Sequence, residues 1–131
     1  MSLRERIRVF NRMPAHDARG WLLKPFTGQE GHEAREVYVV YSLPGQVRGQ
    51  HYHRLATELF TVLEGQARLE LLELHSGARC ALTLRSEEPV TVEVPPGVAH
   101  AIIAEGAGPL MLLAVATQPY DPADTLPYKL V

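Results

Sequence analysis

The sequence predicts an all-β domain, a sandwich or a barrel. Three observations carry that expectation. Short runs rich in Val, Leu, Ile and Tyr recur along the 131 residues. Gly, Pro or polar turns separate them. No segment has sustained helical periodicity, and there is no internal repeat or low-complexity tract. Strands at this spacing point to a sandwich or barrel. The chain reads as one domain over 1–131, with an N-terminal strand or arm over 1–15 and a C-terminal arm over 118–131.

The elements follow in order. REVYVVYSL (35–43) reads as a strand stopped by Pro44-Gly45. ELFTVL (58–63) alternates and stops at Glu64-Gly65, and QARLELLEL (66–74) stops before Ser76-Gly77. ARCALTL (78–84), VTVEV (90–94), AHAII (99–103) and PLMLLAVAT (109–117) complete the set. In VTVEV the two-residue period points Val90, Val92 and Val94 inward, and Thr91 and Glu93 outward. The tail QPYDPADTLPYKLV is too rich in proline for a central strand or a regular helix. Its Tyr, Leu and Val residues favour an arm packed over the barrel or a partner.

Composition narrows the function. The 46% hydrophobic and 21% charged residues are ordinary globular values. A net charge of −2 argues against a nucleic-acid surface or a polybasic membrane surface. No window approaches the roughly 18 apolar residues of a membrane span. The start, MSLRERIRVF, lacks a secretory pattern, and Cys80 is the lone cysteine, read as a buried inert thiol. Together these predict a cytoplasmic protein.

The chemistry concentrates in RGQHYHRLATELFTVLEG, residues 48 to 65. On a strand His51 and His53 share one face while Tyr52 takes the other. If 54–57 form the turn, Glu58 returns beside the pair. His100 follows Pro95-Pro96-Gly97 on a later strand. Three imidazoles and a carboxylate suit a divalent transition metal. Zinc heads the candidates, with Mn, Fe and Ni as others, and clustering such groups in a barrel without a partner costs several kcal/mol. His75 reads as exposed turn chemistry, and His16 and His32 as surface residues.

The spacing of these residues resembles the cupins. Gly45, five residues, His51-x-His53, four residues, Glu58, six residues and Gly65 match the first cupin motif in full. Pro95-x-Gly97-x-x-His100 matches the centre of the second, with Pro89 and Ala104 replacing an expected Gly and Asn. The resemblance implies a double-stranded β-helix, or jelly-roll barrel. It also implies metal binding by His51, His53, Glu58 and His100.

The flanks resemble the sugar-nucleotide branch of cupins. They are Asp17-Ala18-Arg19-Gly20, Pro44-Gly45-x-x-Arg48-Gly49-x-His51-Tyr52-His53 and Tyr120-Asp121-Pro122. They are similar to the C-terminal cupin domain of the bifunctional capsular polysaccharide epimerase/reductase. More distantly, they resemble dTDP-4-dehydrorhamnose 3,5-epimerases and 3,4-ketoisomerases. The resemblance implies an epimerase or ketoisomerase acting on a 4-keto sugar nucleotide, and a homodimer. The apolar Ile7-Val9-Phe10 is a candidate edge strand for a partner.

In such chemistry a base removes the acidic C3 hydrogen, and the resemblance offers His51 for that role. A guanidinium binds the diphosphate, with Arg48 first and Arg19 second, and Tyr41 joins them as a candidate substrate-binding residue. A coordinated His51 cannot also be a free base, which brings in Tyr120, Tyr41, Tyr128 and His32 as other proton carriers. The catalytic tyrosine of the 3,5-epimerases falls at Ala114 here. The alternatives are a non-catalytic sugar-binding cupin, a metal-dependent oxygenase, and an isomerase of a free sugar.

Overall fold

The computed structural model describes residues 1–131 and is built from twelve strands. A short helix α1 (Leu3–Arg6) precedes β1 (Val9–Asn11), β2 (Ala15–Asp17) and β3 (Gly20–Leu22). Then come β4 (Glu36–Ser42), β5 (Val47–Tyr52), β6 (Glu58–Glu64), β7 (Gln66–Glu73) and β8 (Arg79–Arg85). The chain ends with β9 (Val90–Val94), β10 (Val98–Glu105), β11 (Leu110–Ala116), a 3₁₀ turn over Pro122–Asp124 and β12 (Leu126–Pro127). The seven strands expected from sequence form within a residue or two of their expected ends. Inward alternation and Gly/Pro stops specify such strands locally.

Two antiparallel five-stranded sheets face each other. Their orders are β1-β9-β6-β11-β4 and β12-β5-β10-β7-β8, and β2-β3 form a separate hairpin. Non-sequential neighbours in both sheets give the jelly-roll barrel that the cupin resemblance implies. Phe60, Val62, Leu69, Leu71, Val92, Leu110 and Leu112 line the apolar core.

The apolar start is divided between the core and the sheet. Leu3 and Ile7 are buried in the core, and a Ser2/Glu5 capping box closes α1. β1 pairs with β9 of its own chain, Val9 against Val92. Ile7 is therefore core, whereas Val9 and Phe10 lie on β1, an end strand of its sheet that is paired on one side only. β4 ends the same sheet on its other side, and its outward residues Val37, Val39 and Tyr41 are more than half exposed.

VTVEV alternates as expected, yet its outward face is also covered. Thr91 is 1% exposed. It donates to the Pro25 carbonyl at 2.9 Å and accepts from Arg12 Nε at 2.9 Å. The N-terminal segment lies over this side of the sheet, so outward does not mean solvated here. Cys80 is only partly buried and packs against the core.

Candidate metal and substrate site

Two strand pairs bring the four site residues together. His51 lies opposite His100 in the β5–β10 register, and Glu58 starts β6. His53 follows β5 by one residue. One potential donor atom from each of His51, His53, Glu58 and His100 lies within 4.8 Å of the others.

Two glycines near the site, Gly49 in the spacer before His51 and Gly65 at the end of the first motif, have steric roles. A Cβ on Gly49 would meet the His100 carbonyl at 2.8 Å, and one on Gly65 the Pro109 carbonyl at 2.4 Å. Both sit at positive φ, which glycine tolerates best. The register between β5 and β10 shifts beside Gly49, and Gln50 takes φ 59. This irregularity lets the strand pass close to β10 before delivering His51.

The cluster opens into a cavity of about 320 Å³. His51, His53 and Glu58 line it with Glu36, Tyr38 and Tyr120. His100 is behind them, 1% exposed and outside the lining. Burial pushes its imidazole down to about 4, against the pull of Glu58. Burial, then the neighbouring His53, also lowers His51. Both rings are therefore neutral at pH 7, the form that donates a lone pair to a metal. Burial raises the Glu58 carboxyl, but His53, then His100 and Tyr38, outweigh that and bring it below its usual range.

His53 tests whether this set fits a cation. Its Nδ1 lies 2.6 Å from the Asp124 carbonyl, which can only accept, so Nδ1 carries a proton. Its Nε2 then faces Glu58 Oε1 at 2.9 Å. Two lone-pair bearers at that distance need a proton or a cation between them. Burial opposes protonation of His53, but Glu58 and the Asp124 carbonyl raise its pKa overall. The donor set therefore fits a divalent ion, with His51, His53, Glu58 and His100 as the residues that could hold it.

Asp124 was not singled out from sequence. Its carboxylate accepts from the backbone N–H groups of Arg54, Leu55 and Ala56 at 2.7, 3.1 and 3.1 Å. One residue of the C-terminal arm thus fixes the loop between His53 and Glu58 and orients His53. The arm packs over the barrel as expected. β12 pairs with Tyr52 and His51, and the Tyr52 and Tyr128 rings meet edge to face at 6.4 Å.

Other sequence candidates lie elsewhere. Tyr120 lines the cavity mouth and is 67% exposed. Tyr41 falls on the outer face of β4, because it has opposite parity to the cavity-lining Tyr38. Arg48 stands opposite Ile102 and reaches across the barrel seam to the Tyr41 carbonyl at 3.3 Å. Arg19 sits at the β2–β3 turn, ion-paired with Asp17 at 2.6 Å and largely exposed. No Lys or Arg lines the cavity. His32 contacts Glu93 at 2.7 Å, away from the cavity, and Tyr128 packs on Tyr52.

The residue the sequence reading missed inside the cavity is Tyr38. Its hydroxyl donates to Glu58 Oε2 at 2.5 Å. Tyr38 lies directly opposite Ala114 in the β4–β11 register. A phenol therefore enters the cavity from the strand beside Ala114.

Residues 15–128 match the family described as "Polysaccharide biosynthesis C-terminal domain". A UDP-2-acetamido-2,6-beta-L-arabino-hexul-4-ose reductase of Pseudomonas aeruginosa is 33% identical over 78 residues, covering 60% of this chain. That match spans only 21% of the reductase. Among solved structures, a dTDP sugar isomerase from Desulfovibrio desulfuricans superposes with a TM-score of 0.85 at 21% identity. It covers 92% of this chain and 82% of the isomerase. A mutant 3,4-ketoisomerase QdtA from Thermoanaerobacterium thermosaccharolyticum, in complex with TDP-4-keto-6-deoxyglucose, gives 0.78 at 20% identity. The alignment covers 92% of this chain and 86% of QdtA. These neighbours share the barrel.

Proposed function

The chain belongs to the polysaccharide biosynthesis C-terminal domain family, and from that membership we propose a metal-binding cupin that isomerises a 4-keto sugar nucleotide. The observation that carries this reading is the His51/His53/Glu58/His100 cluster, with donor atoms within 4.8 Å, opening into a cavity of about 320 Å³. The nucleotide-sugar complex of a structural neighbour supports the choice of substrate class. Homodimer assembly belongs to the same proposal, with the end strand β4 and its exposed apolar face as the candidate surface.

The reaction begins at C3, where the adjacent ketone acidifies the hydrogen. A base removes that proton and an enolate forms. The proton returns to C3 on the other face in an epimerase. In a ketoisomerase it is delivered to C4 while the O3 proton passes to O4. His51, His53, Glu58 and His100 would hold zinc or another divalent ion, which would supply Lewis acidity for the enolisation.

The protein residues supply the rest. Burial keeps His51 neutral, so it accepts the C3 proton when its nitrogen is free. When His51 is a ligand, Tyr120 at the mouth is our candidate to carry the proton. Glu36 accepts the Tyr120 backbone N–H at 3.1 Å and holds that part of the arm in place. The carboxylate-rich lining suits sugar hydroxyls and repels phosphate, so the diphosphate lies outside the cavity. Arg48 on the barrel seam is our candidate anchor there, with Arg19 second.

One observation favours a non-catalytic sugar-binding cupin. Ala114 occupies the position where the 3,5-epimerase resemblance places a tyrosine. Proton exchange separates the two readings. The protein is incubated in D₂O with UDP- and dTDP-linked 4-keto-6-deoxy sugars, metal-loaded and chelator-stripped, and C3 is followed by NMR. We expect deuterium to enter C3 faster than with His51→Ala. Binding of the nucleotide sugar without exchange would overturn the enzymatic reading.

A further inference from the structure

Glu58 is held by a residue two strands away, and the strand between them is built to allow it. Glu58 on β6 stands opposite Ala116 on β11, which stands opposite Glu36 on β4. The next inward row is Phe60, Ala114 and Tyr38. Crossing two strand spacings means spanning about 10 Å. Tyr38 does so because the central strand carries only methyl groups in its path. Ala114 and Ala116 are both buried, 0% and 5% exposed. The phenol passes over them and its hydroxyl donates to Glu58 Oε2.

The other Glu58 oxygen has a different environment. Oε1 faces His53 Nε2 at 2.9 Å and His100 Nε2 at 3.6 Å. The two oxygens are thus divided, one tied to a phenol and one turned to the imidazoles. A carboxylate oxygen already accepting a strong hydrogen bond is a poorer ligand, and its partner is fixed in direction.

We propose that Tyr38 is the positioning residue that makes Glu58 a one-oxygen ligand, presenting Oε1 alone to a divalent ion among His51, His53 and His100. This rests on the metal-site reading above. It assigns Tyr38 a role through Glu58, with Ala114 and Ala116 as the low floor that permits its reach.

Tyr38→Phe tests this with a near-isosteric change that keeps the ring on Ala114 and Ala116. Chelator-stripped wild type, Tyr38→Phe and Glu58→Gln are titrated with Co²⁺ against a chromophoric competitor, and the visible spectrum of each loaded protein is recorded. We expect Tyr38→Phe to bind about 10- to 100-fold more weakly. Its d–d absorption should also weaken as the freed carboxylate turns bidentate and raises the coordination number. Circular dichroism and thermal melting of the stripped variant should match wild type. Wild-type affinity and spectrum in Tyr38→Phe, with Glu58→Gln impaired, would overturn the role of Tyr38 alone. Unchanged binding in Glu58→Gln as well would overturn the underlying metal reading.

Discussion

Two buried glutamates are satisfied in opposite ways. Glu30, 2% exposed, sits on the outer side of the barrel wall among committed donors. It accepts from the Thr27 and Gly28 backbone N–H groups, the Thr27 hydroxyl and the Arg12 guanidinium, the last at 2.5 Å. Glu58, 4% exposed, faces the interior with a phenol and two imidazoles and receives no backbone N–H and no guanidinium. Imidazoles can release their protons and offer lone pairs, whereas amides and guanidinium cannot. Glu30 is therefore a finished structural lock. Glu58 is a site whose hydrogen bonding is completed by a proton or a cation.

Breaking the Glu30 lock should give the largest stability effect. Arg12→Ala leaves a buried carboxylate without its cation and should cost about 3 to 5 kcal/mol in denaturant unfolding, while metal binding persists in the folded fraction. An unfolding midpoint equal to wild type would show that the outer network contributes little.

Acid should reveal the same lock in the unmodified protein. Burial opposes ionisation of Glu30, but the Thr27 backbone and Arg12 hold its carboxyl down to about 2, below its ordinary 4.5. The unfolded state therefore binds more protons in that interval. The stabilisation is complete above about pH 4.5 and drains as pH falls toward 2, by on the order of 3 kcal/mol. In Arg12→Ala this slope should be shallower, as measured by unfolding at several pH values.

Asp124→Ala sharpens the comparison from the site side. It strips the acceptor from three backbone N–H groups of the 54–56 loop and should destabilise by about 2 kcal/mol. Metal affinity should drop about tenfold, because the loop leading from His53 to Glu58 loses its brace. Glu30 makes no contact with the cluster, so Glu30→Gln should lower stability and leave affinity unchanged.

How much was legible follows from how local each feature is. His51-x-His53 announces a shared face through the strand period, and Pro95-x-Gly97-x-x-His100 supplies the facing strand. The β2–β3 hairpin escaped notice because all six of its strand residues are exposed and leave no burial rhythm. A free-standing hairpin is at best marginal in water, so its pairing is weakly encoded. Tyr38 was overlooked because its partner lies 20 residues on and two strands across. The parity of Val40 and Tyr38 with the barrel interior was the available clue. Asp124 braces a loop about 70 residues earlier, and Arg12, Glu30 and Thr91 meet only once the N-terminal segment crosses the sheet. Arg48 is placed by the irregularity beside Gly49, which simple alternation does not foresee.

The central claim is that the inner cluster, unlike the outer lock, is completed by an ion. Zinc titration of chelator-stripped protein by calorimetry tests it most directly, with Glu58→Gln and Glu30→Gln alongside. We predict one zinc per chain in the wild type and in Glu30→Gln, and a sharp loss of binding in Glu58→Gln. No zinc binding by the wild type, or equal binding in all three, would contradict the account.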